Sequence, residues 1–198
     1  MKTQLGRDEL RTALSALGEI LGARGLHYEL VLVGGGSLLL RGLISRPTRD
    51  ADILGQRTAD GEVVPMRTLP APLGAAIHDV ALTYDLTEDW LNLGPEALLD
   101  LGLPPGFVAR MTPMTLGGLV VWLAGRVDLL HFKLYAAADH WPRKDRHLAD
   151  LRALDPTRPE LLAAARWAGE HDPSPAFRDL LVAVLRDLGI GDADDALG

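Results

Sequence analysis

Val31-Leu32-Val33-Gly34-Gly35-Gly36-Ser37 is followed, after twelve intervening residues, by Asp50-Ala51-Asp52-Ile53-Leu54, and these two stretches decide how the chain is read. An apolar run ending in glycines is the pattern of a buried strand entering a tight turn. There glycine permits a conformation and a close backbone approach that a side chain would block. Ser37 then opens a short apolar stretch, Leu38 to Leu43, which reads as a helix whose first amide groups have no partner within the helix. In the second stretch residues two apart share a face, so Asp50 and Asp52 project together while Ala51 turns back to the core.

The two halves have complementary chemistry. Unpaired amides at a helix start, with the positive end of the helix dipole, suit a phosphate group; Gly35, Gly36 and Ser37 are the candidates for that cradle. Two carboxylates side by side repel each other and favour a hard divalent cation, with magnesium the expected ion and Asp50 and Asp52 its ligands. A glycine turn alone is a common loop, and an Asp-x-Asp alone is a common solvated turn. A dinucleotide-binding reading fails on the residues, because Leu39 stands where the third glycine of G-x-G-x-x-G belongs.

Glycine-serine, a gap of this length, then acid, apolar, acid resembles the signature of the nucleotidyltransferase superfamily related to DNA polymerase beta. A second constellation sharpens the resemblance. Lys133-Leu134-Tyr135-Ala136, followed by Arg143-Lys144-Asp145 and Asp150-Leu151, is similar to the lysine helix and basic-acid pattern of AbiEii-type and related toxin-like nucleotidyltransferases. With the first two stretches it spans roughly residues 28 to 154. The resemblance implies an α/β (α+β) nucleotidyltransferase fold with a small mixed sheet and a C-terminal helical lobe. It implies transfer of a nucleotide from a nucleoside triphosphate to an acceptor hydroxyl, with Lys133 offsetting phosphate charge and Asp145 assisting the metal site or orienting Lys133. The implied acceptor is RNA, such as tRNA, or protein, and a cognate antitoxin is an implied partner. A third acid near the metal pair is common in the family, and Asp79, Asp85 and Asp128 are the candidates. The alternative is a catalytically weak member of the same fold that binds nucleotide or protein.

Lysine usage gives an independent hint. Of 20 basic residues only three are lysine, at positions 2, 133 and 144, so two of the three fall within the second constellation. A compact charge retained in an arginine-biased chain points to a site that a planar guanidinium does not suit. Lys144, His131 and His147 read as solvated or packing residues.

At 198 residues and 47% apolar composition, the chain has material for one substantial core divided between two lobes, residues 1–125 and 126–198. A net charge of -7 excludes a global attraction for nucleic acid, so an RNA contact would need a local basic strip such as Arg41, Arg46 and Arg49. With no cysteine there is neither disulfide nor thiolate metal site, and the six histidines lack zinc-ligand spacing. The apolar runs are shorter than the roughly 20 residues that span a bilayer, and the polar N-terminus does not read as a signal peptide. No membrane association and a cytoplasmic location are the expectation.

Leu10, Leu14, Leu17 and Leu21 recur at helical spacing and predict an amphipathic helix over 7–23, with a strand following at 28–33. Residues 56–72 read as a loop or weak hairpin around Glu62-Val63-Val64, residues 73–84 as a helix, Trp90-Leu91-Asn92 as part of a connection, and Leu119 to Leu123 as a central strand. Beyond Gly125 the pattern is helical over 127–140, 143–154, 159–168 and 175–188, and the acidic tail from Gly191 is expected to fray.

Overall fold

The computed structural model describes residues 2–198, which divide into two compact units at the Gly125/Arg126 junction. The first unit runs α1 (Arg7–Ala23), β1 (Tyr28–Val33), α2 (Gly34–Leu40), β2 (Ala51–Arg57), β3 (Val63–Val64), α3 (Ala71–Tyr84), β4 (Leu91–Asn92), a 3-10 turn (Gly94–Ala97), α4 (Leu98–Leu101), α5 (Phe107–Arg110), β5 (Thr112–Leu116) and β6 (Leu119–Leu123). Its sheet has the order β3-β2-β1-β6-β5, with β4 also paired to β2. The pairing is mixed: β1 is antiparallel to β2 and parallel to β6, β5 and β6 form an antiparallel hairpin, and β4 lies parallel to β2.

The leucine stripe of α1 is fully buried, and with Ala76, Ile77 and Val80 of α3 it packs on Leu30, Leu32, Ile53, Leu119 and Val121 of the sheet. At about 25 cal/mol per Å² of apolar surface, burial of this face is the main stabilising term of the unit. One consequence positions the site. Because β1 and β2 are antiparallel, the end of β1 lies beside the start of β2, with Val33 opposite Asp52, so stretches well separated in sequence meet in space.

The second unit is helical: α6 (Arg126–Asp139), α7 (Asp145–Ala153), α8 (Arg158–His171), α9 (Pro175–Asp187) and α10 (Ala193–Leu197). Trp167 of α8 is its aromatic hub, with the rings of Phe132 and His131 at 5.7 and 5.6 Å between centroids. Helix α8 starts at a Thr157/Glu160 capping box with Pro159 in its first turn, and α9 starts at Ser174, whose hydroxyl accepts from the Phe177 amide. No helix among the described residues is long and apolar enough to cross a membrane.

Four local expectations are corrected. Helix α2 begins at Gly34, three residues before Ser37, so the glycines are themselves its first turn. Trp90-Leu91-Asn92 is not mere connection, since Leu91 and Asn92 form β4 beside the acid strand. Residues 112–116 form an edge strand, β5, that sequence patterning did not single out. The tail from Gly191 is ordered as α10 because Asp192 pairs with Arg158 at 2.7 Å, Asp194 pairs with Arg178 at 2.6 Å, and Ala193 is buried.

Candidate active site

Gly34 is the hinge of the first unit's site. Its φ of +65° lies in the left-handed region that only glycine adopts freely, and a methyl group built on it would overlap the Asp52 carboxylate. The turn out of β1 therefore lets backbone lie directly against this side chain. Gly36 likewise packs close on the Asp50 carbonyl and on Ala51. Ala51 is fully buried in the core, as the alternation of β2 requires, and Asp52 emerges on the opposite face.

Gly34, Gly35 and Gly36 supply first-turn amides of α2, which find no acceptor within the helix. Ser37, in the next turn position, is fully buried and its hydroxyl oxygen has no hydrogen-bond partner. A buried hydroxyl in that state leaves its bonding capacity unused. Asp50 precedes β2 and lines a cleft of about 480 Å³ together with Thr3, Gln4, Arg49, Thr87 and Asp89. The N-terminal segment forms one wall of the cleft, and its Leu5 exchanges backbone hydrogen bonds with the buried Thr48 at 2.7 and 3.0 Å.

None of the three third-acid candidates lies on a strand of the sheet. Asp79 is half-buried on α3 and pairs with Arg24 at 2.5 Å. Asp85 ends α3 in a left-handed conformation, and Asp128 is buried in α6 of the second unit. The residue in register with Asp52 across the β2–β4 pair is Asn92. Sequence reasoning passed over it because a two-residue strand carries no alternation to read. Among the described residues no group of three His, Cys, Asp or Glu side chains is arranged to hold a metal ion. A cation here would rest on the two aspartates, completed by substrate oxygens and water, and oxygen donors of this kind suit magnesium.

The basic strip is also revised. The Arg41 guanidinium donates to the Leu123 carbonyl and the Thr112 hydroxyl, both at 2.8 Å, tying the end of α2 to the β5–β6 hairpin. Arg46 donates to the Pro47 carbonyl at 3.2 Å, and Arg49 remains exposed on the cleft beside Asp50.

In the second unit Lys133 is buried on α6 and makes a 2.8 Å ion pair with Asp150 of α7, itself almost wholly buried. Asp150, and not Asp145, is thus the acid that orients Lys133; Asp145 is exposed as the first residue of α7. Lys144, expected to be solvated, is instead paired with Asp187 and sits over the Trp141 ring. Burial, reinforced by the Lys133 charge, lowers the His147 pKa to about 4, so its ring is neutral near pH 7.

No protein of curated function matches the chain. Its structure is similar to that of an antigenic nucleotidyltransferase-like protein from Paracoccidioides brasiliensis, with a TM-score of 0.50 and 16% identity over 98% of this chain and 94% of that one. At that identity the likeness is one of fold. The family described as nucleotidyltransferase of unknown function (DUF6036) matches residues 8–147, which include the glycine turn, the acid strand and the lysine helix, and the chain belongs to that family.

Proposed function

We propose that the protein is a magnesium-dependent nucleotidyltransferase that moves a nucleotide from a nucleoside triphosphate to an acceptor hydroxyl. The observation that carries the reading is the contact of Gly34 with the Asp52 carboxylate, which sets a carboxylate against the amide-rich first turn of α2. Anion donors and cation ligands adjacent to each other are what a metal–polyphosphate substrate needs.

In this reading Asp50 and Asp52 hold the cation, and the amides of Gly35 and Gly36 donate to the terminal phosphates beside the Ser37 hydroxyl. The cation, when bound, neutralises phosphate charge and favours departure of pyrophosphate. The acceptor oxygen forms a bond to the α-phosphorus and gives its proton to water as the bond to the pyrophosphate oxygen breaks. No covalent intermediate on the protein is required, because positioning and charge stabilisation supply most of this kind of catalysis. The cleft beside Asp50 is where the acceptor enters. Since Lys133 is engaged with Asp150, we assign that pair the task of joining α6 to α7, with Asp145 left as an exposed acid on α7.

The test is incubation with each α-labelled nucleoside triphosphate, magnesium and total cell RNA or protein, followed by a search for transferred label. Asp52→Asn should abolish transfer while the chain still folds, since relief of repulsion within the acid pair offsets the lost charge at the start of α2 and the amide keeps an acceptor oxygen there. Retained labelling in that variant, or retained activity with marked destabilisation, would show the pair to be structural. The same material settles the finer proposal of a toxin-like enzyme acting on RNA. Growth arrest on expression, relieved by Asp52→Asn, with label on RNA supports it, and label on protein alone removes it.

A further inference from the structure

The row of residues that flanks Asp52 has two sides, and only the Gly34 side is accounted for by the phosphate turn. On the other side β4 brings Asn92 into register with Asp52, and Leu91 into register with Ala51. Directly paired residues of parallel strands turn their side chains to the same face. Leu91 and Ala51 are both in the core, so Asn92 emerges with Asp52 on the opposite face.

This placement is firmly anchored. Trp90, just before β4, is fully buried; its indole donates to the Ile77 carbonyl at 3.1 Å, and its own carbonyl accepts the Ala51 amide at 2.6 Å. The orientation of the Asn92 amide is fixed as well. Its Oδ1 accepts the Gly94 backbone N–H at 2.7 Å, and a backbone N–H can only donate, so the oxygen must face Gly94 and Nδ2 is the end turned away. A cation ligand must offer an acceptor, whereas the end of Asn92 directed away from Gly94 is a donor.

We propose that Asn92 is a substrate-binding residue whose Nδ2 donates to a phosphate oxygen of the nucleotide at Asp52, and that it is not a cation ligand. The inference rests on the nucleotidyl-transfer reading above. It makes the site a two-carboxylate centre with a neutral donor where a third acid would otherwise stand, so that the substrate phosphates meet one fewer negative charge.

Three proteins decide it: the parent chain, Asn92→Ala and Asn92→Asp. The aspartate variant keeps an acceptor for the Gly94 amide and so preserves the turn, which makes it the folding control. Calorimetric titration is run first with Mn²⁺ alone and then, at saturating Mn²⁺, with the α,β-methylene analogues of the four common nucleoside triphosphates. In Asn92→Ala, affinity for Mn²⁺ alone should stay within about twofold while analogue affinity falls about tenfold, the loss expected for one hydrogen bond to a charged group. In Asn92→Asp, Mn²⁺ should bind more tightly, because a third carboxylate joins the pair, and the analogue should bind more weakly than to the parent. A tenfold loss of Mn²⁺ affinity in Asn92→Ala would overturn the proposal by making Asn92 a cation ligand. Unchanged analogue affinity in both variants would remove it from the site while leaving the wider reading intact. A parent chain that binds neither Mn²⁺ nor any analogue would overturn the nucleotidyl-transfer reading and this inference with it.

Discussion

Replacing Gly34 with alanine tests the central contact, and the structure supplies its own control. Gly34 and Gly25 have nearly identical backbone φ, +65° and +66°, but a methyl group at Gly34 meets the Asp52 carboxylate while one at Gly25 meets nothing within 4 Å. Each substitution incurs the left-handed penalty of about 1–2 kcal/mol for an L-residue, offset by roughly 0.5 kcal/mol from the reduced freedom of the unfolded chain. Gly25→Ala should therefore cost about 1 kcal/mol. Gly34→Ala carries in addition an overpacking term of about 1–3 kcal/mol, because the carboxylate must swing aside or the turn must shift. The difference between the two unfolding free energies, measured by urea titration followed by circular dichroism, isolates the collision. Displacing Asp52 should also weaken Mn²⁺ binding in Gly34→Ala and leave it unchanged in Gly25→Ala. Equal destabilisation in the two variants, with equal Mn²⁺ affinity, would refute the packing of the carboxylate on Gly34 and remove the main support for the proposed site.

Lys133→Ala should destabilise the second unit by about 3–5 kcal/mol, because it strips the buried Asp150 carboxylate of its cation; a urea midpoint equal to that of the parent would mean the pair contributes nothing. The pH dependence of the same unit should carry the mark of His147. Its pKa is about 4 when folded and near 6.5 when unfolded, so between those values the unfolded chain binds the extra proton. Stability is thus fully present above about pH 6.5 and declines as the pH falls towards 4, by about 1–2 kcal/mol once partial exposure of the ring is allowed for. His147→Gln should flatten that slope in thermal melts between pH 4 and 7, and an unchanged slope would assign it to other groups.

How much of this was legible beforehand depended on the range of the forces involved. The stripe of Leu10, Leu14, Leu17 and Leu21 specified α1, and the run Tyr28 to Val33 specified β1, since both are local patterns of burial. The order of the sheet was not local, and neither was the edge strand β5, where Met114 and Leu116 give only two apolar positions and Pro113 interrupts the strand pattern. The early start of α2 was hidden by glycine's poor helix propensity, which the tertiary need for a close approach to Asp52 overrides. Ion pairs escaped for the same reason. Lys133 and Asp150 lie on different helices, and nothing in the spacing distinguishes Asp150 from the nearer Asp145 as the partner. Arg158 and Arg178 order a tail whose composition alone reads as frayed.

Within the proposed site the same division separates the binding groups from what positions them. The acids at the start of β2 and the glycines of α2 were readable because each half is a short contiguous motif with its own chemistry. Asn92 was not, because its meaning comes entirely from the strand beside it. Two residues of β4 contribute little pairing energy of their own, so the register with Asp52 depends on Trp90, whose burial and indole hydrogen bond to α3 lock the segment against the core. The core face of the sheet, built from α1 and α3, thereby fixes the geometry of the face that carries the carboxylates. A strand too short to be stable alone can place a donor beside Asp52 only because a large aromatic ring one residue away holds it in place.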